Sequence, residues 1–494
     1  MRGFAYEKWQ KWDLALADYQ KGIELDPNSS YGYETRGRFY SERQEWDLAL
    51  ADFNKALELD PNSGLGYESR GNLYINQKKW HLALADLNKA IELGFFSSYV
   101  NRGNVYFQQQ KLALALADFN KAIELSPNPE FAYAARAILY WDRKEWDLAL
   151  TDLSQAIRIN PYLELAYRYR GNIYREQNQL DLALADYNKA IKLNSNDAEL
   201  YYNRGEIYRQ QQKSDIALAD YSRAIELDPK YWSAYLQRYI IYEQQKKWDL
   251  AIADITKVIE IKQFPDAYFV RGSKYLEWRK WDLALADFNR AIELKRDDAS
   301  FYFARGMLYY QTQKWDLALA DFNKAIELKR DDASFYSTRG TLYYQTQKWD
   351  LALADFNRAI ILDPNRKDSY SFRGETYKRQ KRYPEALQDY QKVLELDEKD
   401  LIAITNIGLI YYEQGDLNLA SSQFQKSLEI NPQSAENQLA LAVTLYRQGN
   451  TEKAIKLAKS AIKIDPEFAQ VETLQKNLWG DKIIADARKL FSQL

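Results

Sequence analysis

The sequence contains no cysteine and only one histidine, His81. Without thiols the chain has no disulfide, no zinc-thiolate site and no cysteine nucleophile, and one imidazole is too few for a multi-histidine metal site. A glycine-rich phosphate loop and a nucleophile elbow are also missing. These absences predict a chain with no catalytic residues, no bound metal and no cofactor.

Long apolar runs and an excess of charge of one sign are missing as well. No apolar run approaches the roughly 20 residues that span a bilayer, and the first residues, MRGFAYEKWQ, lack the apolar core of a signal peptide. The formal net charge of −2 gives no electrostatic reason to expect a nucleic-acid partner. We therefore expect a cytoplasmic protein without membrane insertion and without nucleic-acid binding.

Proline and glycine are few, with 11 and 19 residues, whereas tyrosine is abundant with 39. An internal period explains all three numbers. The chain aligns on glycines that mostly follow arginine, and Ala137, Tyr239 and Ala442 fill the three remaining places of the series. The glycines are Gly3, Gly37, Gly71, Gly103, Gly171, Gly205, Gly272, Gly306, Gly340, Gly374 and Gly408. The spacing is 34 residues, except for 32 before Gly103 and 33 before Gly272, which makes 14 repeats.

Each repeat has the pattern of two helices. The first carries Tyr-x-x-Arg-Gly-x-x-Tyr, as in Tyr33 to Tyr40, and this spacing places the residues on one helical face. The second carries Trp-Asp-Leu-Ala-Leu-Ala-Asp-Phe and often ends at a proline such as Pro61. The first of its alanines, Ala49 in this repeat, is present in all repeats. We expect this alanine and the glycine to allow two helix backbones to approach closely.

These residues and the 34-residue period resemble the tetratricopeptide repeat, and the resemblance covers nearly the whole chain. It implies an all-α fold, an α-α superhelical solenoid of about 14 helical hairpins whose first helices line a concave groove. The resemblance also implies a protein-interaction scaffold or adaptor that binds peptide segments or partner proteins in this groove. Arginine stands before the glycine where the family usually has leucine.

Two other functions are compatible with a helical repeat array. The first is a regulatory subunit of a larger enzyme complex, with the catalytic part on another chain. The second is RNA binding, as in related 35-residue helical repeats. The near-neutral charge and the 34-residue period disfavour RNA binding.

Two sets of first-helix residues are predicted to face the groove. Aromatic residues occupy the place four residues after the glycine, at Phe107, Trp141, Tyr310, Tyr344, Tyr412 and Tyr446. Asparagines recur nearby, at Asn72, Asn101, Asn104, Asn172, Asn203 and Asn406. An asparagine amide both donates to and accepts from a peptide backbone, so we interpret the set as a peptide clamp. The alternative interpretation is a solvated polar wall.

One stretch resembles the two-carboxylate clamp with which some family members bind the C-terminus of a peptide. Its first three places are matched by Arg168, Asn172 and Asn203, but Ser233 and Gln237 stand where two cations belong. The missing charge can come from two residues of the same wall, Arg175 and Arg209. The pattern predicts a site for an acidic peptide, although Glu176 and Glu206 weaken its field.

An arginine and an aspartate sixteen residues later occur together in repeats 1 to 12. Representative pairs are Arg36 and Asp52, Arg204 and Asp220, and Arg373 and Asp389. Repeats 13 and 14 lose both members. Joint retention and joint loss predict a salt bridge across each hairpin that specifies its geometry.

The two ends of the array differ. Residues 1–466 are predicted to form the array, whose first repeat is truncated because Met1 lies two residues before Gly3. We expect an uncapped N-terminal end that is frayed or covered by a partner, including a second copy. Residues 467–494 are predicted to be C-terminal capping helices, beginning with one helix from about Pro466 to Leu478. Within the array, the ring of Tyr239 is expected to push the two helices of its hairpin apart.

Overall fold

The computed structural model describes residues 2–477 and 479–494, and all regular structure in these residues is helical. Two compact units are distinguished, Met1–Ile261 and Lys262–Leu494. The helices of the first unit are α1 (Arg2–Lys8), α2 (Trp12–Leu25), α3 (Ser30–Glu42), α4 (Trp46–Leu59), α5 (Gly64–Asn76), α6 (Trp80–Glu92), α7 (Ser98–Gln108), α8 (Leu112–Leu125), α9 (Glu130–Asp142), α10 (Trp146–Ile159), α11 (Glu164–Glu176), α12 (Leu180–Leu193), α13 (Ala198–Gln210), α14 (Ser214–Leu227), α15 (Trp232–Gln244) and α16 (Trp248–Lys262).

The second unit continues the same series of hairpins. Its helices are α17 (Pro265–Glu277), α18 (Trp281–Leu294), α19 (Ala299–Gln311), α20 (Trp315–Leu328), α21 (Ala333–Gln345), α22 (Trp349–Leu362), α23 (Lys367–Arg379), α24 (Tyr383–Leu396), α25 (Leu401–Gln414), α26 (Leu417–Ile430), α27 (Ala435–Arg447), α28 (Thr451–Ile464), α29 (Val471–Lys476) and α30 (Asp481–Phe491). A 3₁₀ turn, Pro466–Ala469, precedes α29. The fold is therefore an α-α solenoid in which odd-numbered first helices and even-numbered second helices alternate through α28.

Each hairpin is held by a narrow apolar stripe on its second helix. In α14 the buried apolar residues are Ala217, Tyr221 and Ala224, at spacings of four and three residues. This spacing places them on one face, so they pack together against the first helix while the charged residues stay in water. The helix ends at Leu227, just before an Asp-Pro pair that cannot continue it.

The glycine of the first helix makes room for an aromatic ring. A Cβ on Gly306 would lie 2.7 Å from Cε1 of Phe322, and a Cβ on Gly205 would lie 2.8 Å from Cε1 of Tyr221. The expected close approach of glycine to the alanine backbone is therefore not the main contact. The same ring–glycine contact occurs in all the hairpins whose second helix carries an aromatic residue at this place.

The Tyr239 hairpin keeps the arginine–aspartate pair of most other hairpins. The ring of Tyr239 is buried, yet Arg238 and Asp254 still form two bonds of 2.7 Å across the hairpin. Ile255 stands where most other hairpins carry the aromatic ring. A large residue on the first helix is here matched by a smaller one on the second, and the separation of the two helices stays a prediction.

The turn inside each hairpin requires a left-handed residue seven places after the glycine position. In repeats 13 and 14 this residue is Gly415 or Gly449, with φ of 96° and 88°. In the other twelve repeats a residue with a side chain adopts φ between 56° and 62°; Gln212, with φ of 60°, is an example. Left-handed backbone costs an ordinary residue roughly 1–2 kcal/mol, so these twelve turns are strained.

We therefore expect Gln212→Gly to stabilise the chain by about 0.5–1 kcal/mol, since relief of strain exceeds the added entropy of the unfolded chain. Gln211→Gly is the matched control, because Gln211 has φ of −78° and carries no such strain. The control should destabilise. Urea denaturation followed by circular dichroism measures both changes, and equal effects of the two substitutions would contradict the strain argument.

Within each unit the first helices lie closer together than the second helices. Consecutive first helices contact each other, as α7 does α9 and α21 does α23, whereas consecutive second helices do so much less. A row of helices bends toward the side on which its members are closest. The first helices therefore form the inner face of each unit.

The C-terminal segment differs from the predicted single helix. Residues 466–476 form the 3₁₀ turn and the short helix α29, and Leu478, the predicted end, lies outside the described residues, as does Met1. Phe468 and Leu474 are buried at the end of the last hairpin. Helix α30 does not continue the stack, because it packs on α25 and α27, two successive first helices.

Candidate functional site

The arginine–aspartate pairs lie across the hairpins, where the sequence places them. Each arginine donates through Nε and Nη2 to both carboxylate oxygens. The distances are 2.8 and 2.8 Å for Arg36 and Asp52, 2.9 and 2.6 Å for Arg204 and Asp220, and 2.8 and 2.6 Å for Arg373 and Asp389. These hydrogen bonds raise the pKa of the Arg204 guanidinium. Two parallel charge-assisted bonds fix the angle between the helices as well as their distance.

The same arginines also link neighbouring hairpins, which the sequence analysis did not anticipate. Nη1 of Arg204 donates to Asn188, on the preceding hairpin, at 2.7 Å, and its guanidinium lies 5.5 Å from the ring centre of Tyr201. The equivalent bonds to asparagine join Arg70 to Asn54, Arg102 to Asn88, Arg136 to Asn120, Arg305 to Asn289, Arg339 to Asn323 and Arg373 to Asn357. The sequence contains a signal for these bonds, because this asparagine stands two residues after most of the paired aspartates.

The residues of the predicted acidic-peptide site have partners within the chain. Arg168 lies within 3.6 Å of carboxylate oxygens of Glu164, Asp197 and Glu199. Asn172 accepts from the hydroxyl of Tyr187 at 2.7 Å. The three carboxylates neutralise the charge of Arg168, so little of it is left for an acidic peptide.

The other three members of that set are arranged in the same way. Arg175 donates to Oδ1 of Asn203 at 2.7 Å, so the structure brings these two together. Arg209 pairs with Glu206 at 3.1 Å. The acidic-peptide site stays a prediction, and the geometry does not favour it.

Three of the predicted groove residues, Asn101, Asn104 and Phe107, come together in one pocket on the first unit. This Phe107 pocket has a volume of about 420 Å³ and is lined mainly by residues of the first helices α5, α7, α9 and α11 and by the loops before α7 and α9, with Ala122 of α8 also contributing. It lies beside the shortened connection between Gly71 and Gly103, where Phe96 replaces the usual turn sequence. Side chains that a regular connection would cover are therefore open to solvent.

The Phe107 pocket combines apolar and amide groups. Phe131 is 56% exposed and Phe96 38% exposed, both large apolar side chains without full cover. Asn104 is exposed, whereas Asn101 donates to Glu68 at 3.2 Å. Burial raises the pKa of the Glu68 carboxyl. The pocket offers an apolar floor with an amide at its rim that can pair with a peptide backbone.

A second pocket lies on the inner face of the second unit. This Phe372 pocket has a volume of about 680 Å³ and is lined by α21, α23, α25 and α27 together with Lys476 and Asn477. Tyr344, another predicted groove residue, lies at one end with its ring 6.2 Å from that of Phe372. Ile402 is 69% exposed at the opposite wall.

The charges of the Phe372 pocket are mainly negative. Its lining includes four carboxylates and two lysines: Asp368, Glu375, Asp400, Glu436, Lys367 and Lys476. Lys367 is held between Asp397 and Asp400 at 2.8 and 2.9 Å, which raises its pKa. Burial raises the pKa of Glu436, which accepts from the indole of Trp479 at 3.1 Å. Glu375 pairs with Lys378 at 3.0 Å, which leaves Asp368 as the lining carboxylate that favours a ligand with positive charge.

Two other predicted groove aromatics, Trp141 and Tyr310, contact neighbouring rings. The ring of Trp141 contacts Tyr169 edge-on at 5.5 Å, so it fills the space between two hairpins. Tyr310 contacts Trp315 at the same distance, across the turn of its own hairpin. Neither residue lines one of the two pockets.

Residues 2–477 and 479–494 contain neither a metal site nor a membrane-spanning helix. No group of three or more histidine, aspartate or glutamate side chains is placed there to hold a metal ion. In the same residues, no helix combines the length and the apolar character needed to cross a membrane.

Comparison with known families gives a direct assignment. Models described as TPR repeat match residues 171–212, 272–313 and 306–347. Models described as tetratricopeptide repeat match residues 30–63, 96–129, 198–231, 333–366, 368–433 and 411–478. Together the matched segments make up more than half of the chain, so the chain belongs to the tetratricopeptide-repeat family. A comparison with curated proteins finds no match.

Three solved structures that match the chain cover different shares of it. YrrB, described as a TPR protein with an unusual peptide-binding site, is 27% identical over 41% of this chain and 97% of its own, with a TM-score of 0.33. The Cut9–Hcn1 hetero-tetramer of APC/C gives 16% identity over 90% and 95%, with a TM-score of 0.40. Yeast Tom70 gives 19% over 87% and 96%, with a TM-score of 0.35. These TM-scores are too low for any of the three to indicate a function for this chain.

Proposed function

We propose that the chain is a non-catalytic protein-interaction scaffold of the cytoplasm that binds peptide segments of partner proteins on the first helices. The observation that carries this proposal is the pair of open pockets, both lined by first helices. Each pocket spans four consecutive hairpins, so a ligand that fills it must be elongated. A peptide segment meets that condition.

The Phe107 pocket fits a segment with a large apolar side chain. Phe96 and Phe131 supply apolar area that a ligand removes from water, at roughly 25 cal/mol per Å². The amide of Asn104 can bond with the backbone of an extended peptide in both directions. The pocket thereby holds a peptide through one apolar side chain of the peptide and through hydrogen bonds to the peptide backbone.

The Phe372 pocket fits a segment that combines an apolar residue with lysine or arginine. Ile402 and Phe372 supply the apolar contact, and the carboxylate of Asp368 lies on the wall beside them. Rim carboxylates of this kind select partners by charge more than they add affinity. The two pockets therefore differ in the peptides that they accept, as a scaffold for more than one partner requires.

A peptide-display selection on the full chain tests the proposal. Enriched peptides are measured by fluorescence polarisation against full-chain variants. Phe131→Arg should weaken ligands of the Phe107 pocket at least tenfold, and Ile402→Arg should do the same for ligands of the Phe372 pocket.

The matched controls are exposed leucines on second helices. Leu114 and Leu351 are each 49% exposed, so Leu114→Arg and Leu351→Arg add the same charge at an apolar surface residue. Each control should change affinity less than twofold. If the controls weaken binding as much as the pocket variants, or if no pocket variant weakens it, the inner face is not the binding surface.

A further inference from the structure

Helix α30 lies on the inner face of the last two hairpins. It packs on α25 and α27, both first helices, and its four buried residues are Ile483, Ile484, Ala487 and Leu490. They belong to the same buried cluster as Leu409 and Leu441 of the two first helices. The helix therefore lies on the C-terminal halves of α25 and α27, whose N-terminal halves line the Phe372 pocket.

The polar contacts of α30 use residues of the inner face. The hydroxyl of Tyr412 donates to Asp486 at 2.9 Å, and Arg447 pairs with the same carboxylate at 3.3 Å. Tyr412 stands four residues after its glycine, the place that Phe107 and Tyr344 hold in the two pockets. An internal segment thus engages the position that lines the open pockets elsewhere.

A carboxylate of the inner face also holds the beginning of α30. Glu413 accepts from the backbone N–H groups of Lys482 and Ile483, each at 3.0 Å. This satisfies two of the free N–H groups of the helix and complements its positive end. A Cβ on Gly480, just before the helix, would displace the Glu413 carboxyl from these bonds.

The end of the last hairpin is covered first by the segment that precedes α30. The 3₁₀ turn Pro466–Ala469 packs on α27 and α28 with Phe468 buried, and α29, which carries the buried Leu474, contacts both this turn and α30. Helix α30 instead crosses two first helices and presents Lys482, Ala485, Arg488 and Lys489 to solvent. Its arrangement is that of an amphipathic helix in a groove rather than that of a stacked terminal hairpin.

The geometry points to a helix-binding site on α25 and α27, for which α30 is the tethered ligand and which a partner helix of the same pattern occupies in its place. The pattern is two adjacent aliphatic residues, an aspartate two residues later, then alanine and leucine on the same face. This inference rests on the proposed function of the inner face and adds a third site with its own ligand class. Since α30 is tethered, the site is free only in the fraction of molecules in which α30 is undocked. The apparent affinity of a partner for the full chain is reduced by that fraction.

The probe is a labelled peptide of residues 479–494, measured against full-chain protein. In the variant Ile484→Glu with Leu490→Glu, α30 is undocked but the chain keeps its length. This variant should bind the peptide at least tenfold more tightly than the unchanged chain does. The peptide with Arg488→Ala is the matched control, since Arg488 faces solvent, and it should bind like the original.

A charge exchange tests the mode of binding. The peptide with Asp486→Lys should lose at least tenfold in affinity for the undocked variant and should regain most of it when that variant also carries Arg447→Glu. No binding of the peptide to the undocked variant, or no recovery on charge exchange, would overturn the inference.

Hydrogen exchange of the unchanged chain gives a measurement that depends on no variant. The amides of α30 should exchange at least a hundredfold faster than those of α27, because undocking does not require unfolding of the array. Equal protection of both helices would show that α30 is a fixed part of the fold. Peptide binding at the Phe107 pocket, in the other unit, reports on the proposed function separately.

Discussion

Arg204→Leu should lower the free energy of unfolding by about 3 kcal/mol, because it leaves Asp220 buried without its charge partner. The side chain of Asp220 is 6% exposed and that of Arg204 is 20% exposed, so the expected loss is at the lower end for a buried pair. The arginine also loses its bond to Asn188 and its contact with Tyr201. Urea denaturation followed by circular dichroism measures the change.

The double variant Arg204→Leu with Asp220→Leu should recover much of this loss, since hairpins 13 and 14 carry uncharged residues at both places. Arg223→Leu is the control on the neighbouring helix face. Arg223 and Glu226 pair at 2.9 Å, but they are 42% and 64% exposed, so this loss should stay below about 0.5 kcal/mol. Additive effects of the two single substitutions at 204 and 220 would refute the pairing as the reason for their retention.

Gly306→Ala should destabilise by about 1–3 kcal/mol, the usual range for overpacking a tight contact. The added Cβ would lie 2.7 Å from Cε1 and 2.8 Å from Cδ1 of Phe322, and a buried ring in a packed hairpin has little room to move. Thermal denaturation followed by circular dichroism measures this loss.

The hairpin of Ala137 supplies the compensating change, because Leu153 stands there at the place of the ring. Phe322→Leu should therefore rescue Gly306→Ala, so that the double variant is more stable than the sum of the two losses predicts. Strict additivity would show that the glycine and the ring are not matched to each other. The control is Gly22→Ala, since a Cβ on Gly22 meets nothing within 4 Å.

The repeat period alone predicts most of the fold. A 34-residue spacing with helical periodicity in each half admits little besides stacked hairpins, and arginine–aspartate co-occurrence located the contacts between their helices. A single repeat does not show that the glycine of the first helix is matched to the aromatic ring of the second helix. The three hairpins without glycine, at Ala137, Tyr239 and Ala442, also lack the aromatic ring on the second helix. A comparison of the repeats therefore indicates that the glycine and the ring are in contact.

The candidate site was less accessible to sequence reasoning. The sequence predicted Asn101, Asn104 and Phe107 correctly as neighbours. They are spaced by three residues and therefore lie on one face of the helix. Arg168 was assigned to a peptide site because the pattern does not show that Asp197 and Glu199, on the next hairpin, neutralise it. The docking of α30 was also not anticipated, since the contact between Tyr412 and Asp486 joins residues 74 positions apart and outside the period.

The central claim is that ligands bind on the first helices, and hydrogen exchange of the full chain with and without a selected peptide tests it most directly. We predict new protection in α7 and α9 for a ligand of the Phe107 pocket, and in α23 and α25 for a ligand of the Phe372 pocket. The second helices α10 and α24 should show no change beyond that of the whole array. Protection confined to the second helices would show that ligands do not bind on the first helices.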